Sequence, residues 1–162
     1  MALFKPNYKF KRITDISTVF LKEAGIGSLI LDVDNTLSTH HGNVLVDGLQ
    51  EWLDTMKASG INLIILSNSK KRRVEPFAQR IGLPFVSLGL KPLPFKFWQT
   101  LRLLNAQKQE TAIIGDQLFT DSLGAHLSGI KAIILDPIEP EPMLSFKIRR
   151  YFEKILYKHY RF

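Results

Sequence analysis

Leu29-Ile30-Leu31-Asp32-Val33-Asp34-Asn35-Thr36 decides how this chain is read. Residues 28–33 are too short a run for a helix and are rich in Leu, Ile and Val, which predicts a buried strand. Asp32 and Asp34 therefore fall where the strand passes into a loop. In an open α/β sheet, ligands bind at the carboxyl ends of the strands. Two carboxylates this close repel at neutral pH unless a cation or a shared proton relieves them. A plain turn is the competing reading, because Asp and Asn are common turn formers. Three later strings weigh against it. Leu63-Ile64-Ile65-Leu66 runs into Ser67-Asn68-Ser69, Phe85–Leu90 into Lys91-Pro92, and Ala112-Ile113-Ile114 into Gly115-Asp116-Gln117-Leu118-Phe119-Thr120-Asp121. Each apolar run ends in residues of a kind that handles phosphate or metal.

Helical patterns separate these runs. Leu49, Trp52, Leu53 and Met56 mark one face of a helix over 48–59, closed by Gly60, and further helices are predicted over 70–81, 95–105 and 120–127. Ala132–Leu135 reads as another strand. The alternation predicts an α/β fold, a parallel sheet with helices on both faces. A chain of 162 residues, 45% hydrophobic, can enclose one substantial core. The absence of cysteine excludes disulfides, zinc–thiolate sites and a thiol nucleophile. No apolar stretch approaches the roughly 20 residues of a membrane span, and the N-terminus lacks the apolar core of a signal peptide, so a cytoplasmic location is expected. Pro137-Ile138-Glu139-Pro140-Glu141-Pro142 reads as a stiff linker. The chain thus divides into a basic aromatic segment over 1–23, a core over 24–136, and a linker with a basic amphipathic helix over 137–162.

In order and spacing, these strings resemble the four motifs of the haloacid dehalogenase-like (HAD) phosphatases, and within them the YqeG-type subfamily related to mitochondrial phosphatidylglycerophosphatases. The resemblance implies a Rossmann-like fold and an aspartyl-phosphate mechanism. Asp32 is then the nucleophile, which divides one difficult displacement into two easier ones. Asp34 protonates the leaving oxygen and later takes a proton from water. Ser67, Asn68 and Thr36 meet the phosphate, and Lys91 places a compact positive charge beside nucleophile and phosphate. Mg2+ is the implied cofactor, held by the Asp32 carboxylate, the Asp34 main-chain carbonyl and Asp116, with Asp121 supporting it through waters. Gly115 is read as permitting a backbone turn. Relatives tend to carry an Asn-Arg pair where this chain has His126 and Leu127, which leaves the substrate less defined than the chemistry.

HAD enzymes acting on small molecules often carry a cap domain after the first or second motif, and this chain has no room for one. An open site cannot enclose a small metabolite, which favours a macromolecule or a lipid headgroup. Charge points the same way. Residues 143–162 hold Lys147, Arg149, Arg150, Lys154, Lys158 and Arg161 against Glu153, a net +5, and residues 1–23 a net +3, while the rest sums to −1. Basic residues interleaved with aromatics suit an anionic membrane surface. The stripe Ile148, Tyr151, Phe152, Ile155 and Leu156 equally suits packing on the domain, and RNA or ribosome contact is a third reading. Lys70-Lys71-Arg72-Arg73 stands beside the implied phosphate site and could hold a second phosphate. The expected partner is a phosphorylated substrate, preferentially phosphatidylglycerophosphate, with peripheral contact at the inner face of the cell membrane. A soluble phosphatase for proteins or nucleotides and a nucleic-acid-binding protein on the same fold are the alternatives.

Overall fold

The computed structural model describes residues 3–39, 44–139 and 144–160, with residues 144–146, 149, 157, 159 and 160 described by backbone alone. Its centre is a six-stranded sheet: β1 (Tyr8–Phe10), β2 (Ser28–Leu31), β3 (Asn62–Leu66), β4 (Phe85–Val86), β5 (Thr111–Gly115) and β6 (Lys131–Leu135). The strands lie in the order β1-β6-β5-β2-β3-β4, every pair parallel. Parallel pairing needs crossovers, and α1 (Thr18–Glu23), α2 (Leu49–Ala58), α3 (Lys71–Ile81), α4 (Pro94–Leu104) and α5 (Leu123–Ser128) supply them. A last helix, α6, runs over Leu144–Tyr160.

Alternation along the strands builds two cores. Leu29, Leu31, Ile65, Ala112 and Ile114 face one side, where Leu21, Leu53 and Phe77 of α1, α2 and α3 pack. Ile30, Ile64, Leu66 and Ile113 face the other, under Phe97, Leu101 and Ala125 of α4 and α5. Strands β2 and β5 are buried throughout, which is why their sequences are almost wholly apolar. After β2 the chain winds outward through β3 and β4, then returns to the far side of β2 to form β5. The β2–β5 boundary is thus the topological switch point, where the carboxyl ends of adjacent strands open a crevice.

Differences from the sequence expectations have local causes. The run expected over 85–90 pairs only at Phe85–Val86, because Leu88 and Leu90 take left-handed φ values of 49° and 50° and carry the chain off the sheet. The expected helix over 120–127 is a π-helical turn, Leu118–Ser122, followed by α5. Tyr8–Phe10, read as part of a basic aromatic segment, joins β6 as an edge strand, and Phe20 of α1 packs edge-on against both Tyr8 and Phe10. No cap domain is present among the described residues: only a short loop and α2 separate Thr36 from β3, and only α3 and β4 lie between Ser69 and Lys91. Of the proline linker, residues 140–142 lie outside the described part.

Candidate active site

Asp32 follows β2 directly, and its backbone N–H extends the ladder to the Ile114 carbonyl at 2.9 Å. Its carboxylate is therefore aimed by a strand that is buried along its length and paired on both sides. Lys91 meets it from the turn before α4: Nζ donates to Asp32 Oδ1 at 2.7 Å and to Asp121 Oδ1 at 2.8 Å. The lysine is itself gripped by Asn68, whose Oδ1 accepts from the Lys91 N–H at 2.8 Å and whose Nδ2 donates to the Lys91 carbonyl at 3.3 Å. Asp116 follows β5, and the π-helical turn brings Asp121 back beside it. Gly115 permits that return, because a Cβ there would stand 2.2 Å from Asp121 Oδ2. Its φ is not left-handed, so close approach replaces the turn role read from sequence.

Burial governs the electrostatics. Desolvation raises the Asp32 pKa to about 7 against the opposing pull of Lys91. Burial also raises Asp116 well above the usual carboxylate range, which Arg150 only partly offsets. For Lys91 burial acts to lower the pKa, but the carboxylates of Asp121 and Asp32 outweigh it and the group is held charged. Oxygens of Asp32, Asp116 and Asp121 lie within 4.8 Å of one another. An all-oxygen set of this kind suits a hard divalent cation. Asp116 Oδ1 is buried without a hydrogen-bond partner, an orphaned acceptor of the sort a metal satisfies.

The other residues singled out in the sequence divide between centre and margin. Ser67 is buried at the end of β3, its Oγ accepting from the Ser69 N–H at 3.2 Å. Thr36 is buried with Oγ1 unpaired, and Asn35, at φ 58°, accepts through Oδ1 from the Glu139 N–H at 3.1 Å. The Asp34 carboxylate lies apart from the acidic trio and pairs with Arg73, which also donates to Ser69 Oγ at 3.0 Å. Lys70, Lys71 and Arg72 are exposed. His126 donates from Nδ1 to the Ser122 carbonyl at 2.8 Å, at the end of the preceding turn, and Leu127 is exposed.

Two site residues went unread. Arg150 of α6 bonds the Asp116 carboxylate through Oδ2 and donates to the Asp116 carbonyl at 2.7 Å. Glu153, one turn later, holds the same guanidinium at 2.8 Å and accepts from the Leu118 N–H at 2.8 Å. Arg150 was expected in a basic tail outside the catalytic motifs, and here it touches one. The Arg-x-x-Glu spacing was the available signal, an i,i+3 pair containing the one acid of the helix.

The description "haloacid dehalogenase-like hydrolase" matches residues 5–129. Over 151 residues the chain is 33% identical to "Probable phosphatase YqeG" of Bacillus subtilis (strain 168), covering 93% of this chain and 88% of that protein. An uncharacterized protein from Listeria monocytogenes serotype 4b superposes with a TM-score of 0.59 at 20% identity, over 82% of this chain and 99% of that one. The 3-deoxy-D-manno-octulosonate 8-phosphate phosphatase of Moraxella catarrhalis, solved with magnesium, phosphate and KDO, gives a TM-score of 0.52 at 22% identity over 76% of each chain. These two structural likenesses bear on the fold alone. The family match over most of the chain, joined to the YqeG likeness along nearly its whole length, makes this protein a member of the haloacid dehalogenase-like hydrolases, among the YqeG-type phosphatases.

Proposed function

We propose that the chain is a magnesium-dependent phosphomonoesterase that works through an aspartyl phosphate on Asp32 and takes phosphatidylglycerophosphate as substrate. The observation that carries the chemistry is the placement of Lys91 between Asp32 and Asp121, with an unpaired Asp116 oxygen in the same cluster. Asp32, Asp116 and the Asp34 carbonyl hold the metal, which when bound neutralises charge on the phosphoryl group. An Asp32 oxygen attacks phosphorus as the bond to the leaving oxygen breaks, and Asp34 gives that oxygen its proton. A water then loses a proton to Asp34 and attacks phosphorus, which frees phosphate and restores Asp32. Lys91 and Ser67 hold phosphoryl oxygens, and Asn68 keeps Lys91 in place. Arg73 pairs with the Asp34 carboxylate and donates to Ser69 Oγ at 3.0 Å, at the margin of the site.

The lipid reading draws support from what surrounds the open site. Leu88, Leu90, Leu93 and Phe95 flank Lys91 and are all exposed, Phe95 to 62%. On α6 the apolar side chains Ile148, Tyr151, Phe152 and Ile155 also face outward, Tyr151 to 64%, while the polar pair Arg150 and Glu153 faces in. Lys147, Lys154 and Lys158 are exposed along the same helix. Apolar and cationic groups together fit an anionic bilayer surface. No helix among the described residues is long and apolar enough to cross a membrane.

The test is phosphate release with Mg2+ from phosphatidylglycerophosphate in mixed micelles, beside nucleotides, phosphoproteins and a soluble aryl phosphate. Preferred turnover of the lipid supports the proposal. Preference for a nucleotide or phosphoprotein would replace the substrate reading and keep the chemistry, and no release from any of them would overturn both.

A further inference from the structure

We propose that Arg150 is a positioning residue for the metal site, so that α6 belongs to the catalytic unit. This inference rests on the phosphatase reading for the identity of the site and adds to it a residue outside the four motifs. The geometry is specific. The Arg150 guanidinium takes Asp116 through Oδ2 and through the main-chain carbonyl, which leaves Oδ1 as the one carboxylate oxygen without a partner, buried and within the acidic cluster. A carboxylate gripped by one oxygen presents the other in a single orientation, and partners of this kind behind a metal ligand set both its direction and its affinity. Only a planar fork can reach carboxylate and carbonyl together, a task for which lysine is a poor substitute.

Glu153 explains why the arginine stays. It is buried, accepts from Arg150 Nη1 at 2.8 Å, and accepts from the Leu118 N–H at 2.8 Å with its other oxygen. Leu118 opens the π-helical turn that returns Asp121 to the site. One helical turn of α6 therefore braces both ends of the fourth motif, Asp116 directly and Asp121 through the turn. A helix whose only purpose was a peripheral basic face would have no cause to bury a carboxylate and a guanidinium together, since such burial is costly unless each charge is fully matched.

The experiment titrates Mn2+, a paramagnetic stand-in for Mg2+, into the metal-free full chain, reading free ion by electron paramagnetic resonance. Wild type is compared with Arg150→Met, Arg150→Lys, Glu153→Gln and the exposed control Lys154→Met, with folding checked by circular dichroism. Loss of the brace should weaken Mn2+ binding about 10- to 100-fold in Arg150→Met. Arg150→Lys and Glu153→Gln should lie between it and wild type, and Lys154→Met should match wild type. Added guanidinium should recover part of the loss in Arg150→Met. Binding in Arg150→Met within twofold of wild type, or tighter than wild type, overturns the proposal. If Arg150→Met does not fold, unchanged affinity in both Arg150→Lys and Glu153→Gln overturns it instead. A wild-type chain that binds Mn2+ with this pattern but releases no phosphate would fail the phosphatase reading while leaving Arg150 in its role, whereas a wild-type chain that binds no Mn2+ removes the metal site and this inference together.

Discussion

Lys91 is the residue on which the charge balance of the site turns, because it is buried between the carboxylates of Asp32 and Asp121 and bonds both. Asp32→Asn keeps the shape and removes the nucleophilic oxygen. Phosphate release should fall by at least about a thousandfold with the circular dichroism spectrum unchanged. Wild-type turnover in that variant, with contaminating phosphatase excluded, would end the proposed mechanism. The same carboxylate gives a stability signature. Its pKa in the folded protein is raised from 3.8 to about 7, so the folded form holds a proton that the unfolded chain has already released. That contribution is complete below the unfolded value and disappears as pH climbs through about 7, at up to about 1.4 kcal/mol for each pH unit crossed. Metal-free wild type should therefore lose more thermal stability between pH 5 and pH 8 than Asp32→Asn does. Adding Mg2+ at pH 8 should restore wild type, since the ion binds the folded form. Parallel melting curves for the two proteins across that range would refute this account of Asp32. Calcium should fail to support turnover and should inhibit, because the larger ion tolerates irregular coordination and can draw both Asp32 oxygens onto itself. Activity that survives excess chelator would contradict the metal requirement.

Strand ends and the turns that leave them set the site's precision. Strand β5 brings Asp116 to the crevice, and the π-helical turn after it doubles back so closely that Gly115 has no room for a side chain. Gly115→Ala should push Asp121 off Lys91. Displacements near 1 Å can cost about a hundredfold in rate, so activity should fall on that order while the protein stays folded. Steady-state kinetics at saturating Mg2+ would check it, and unimpaired turnover would show that Asp121 is not needed where it lies. Gly124 makes a different contact. A Cβ there would stand 2.6 Å from the Phe97 ring, so α5 packs on α4 through bare backbone. Gly124→Ala should lose about 1–3 kcal/mol in urea unfolding through overpacking. A loss under half of that would mean the helices can separate freely.

The molecule as a whole presents two surfaces of unlike character. Its core is nearly neutral, and its positive charge lies in the terminal segments. Lys147, Lys154 and Lys158 are exposed on α6 beside its outward apolar face, and none of them touches the site. Reversing all three should weaken binding to anionic vesicles by two orders of magnitude or more, at about 1 kcal/mol per cation, and leave hydrolysis of a soluble ester intact. Raising the salt should weaken the wild type in the same way, as screening acts over about 8–10 Å at physiological ionic strength. Vesicle sedimentation checks both, and binding that is absent at low salt or indifferent to reversal would remove the membrane surface. Arg150 does not belong in that set, because its charge is spent on Asp116 inside the fold.

Local pattern was enough for a good part of this protein. Apolar runs ending in Asp32, Ser67 and Asp116 could be read as parallel strands feeding one crevice, since strand burial and strand ends are written in contiguous residues. Four of the interior helices were equally legible from their 3.6-residue periodicity, although the fourth begins as a π-helical turn that no periodicity marks. Tyr8–Phe10 was not legible as a strand, because three residues carry too little pattern and it is β6 that makes them one. The run over 85–90 misled for the opposite reason: its composition is strand-like, while Leu88 and Leu90 take left-handed φ values and carry the chain off the sheet. The pairing of Asp116 with Arg150 lies furthest from what local reading can reach. Thirty-four positions separate the two residues, and the apolar stripe of α6 suits, from its sequence, packing on the domain as well as a membrane surface. Tertiary structure alone decides that the stripe faces out and that the charged pair faces in, because the acidic cluster at the ends of β2 and β5 gathers carboxylates that a buried cation can match, and that cluster exists only once the sheet has brought those two ends together.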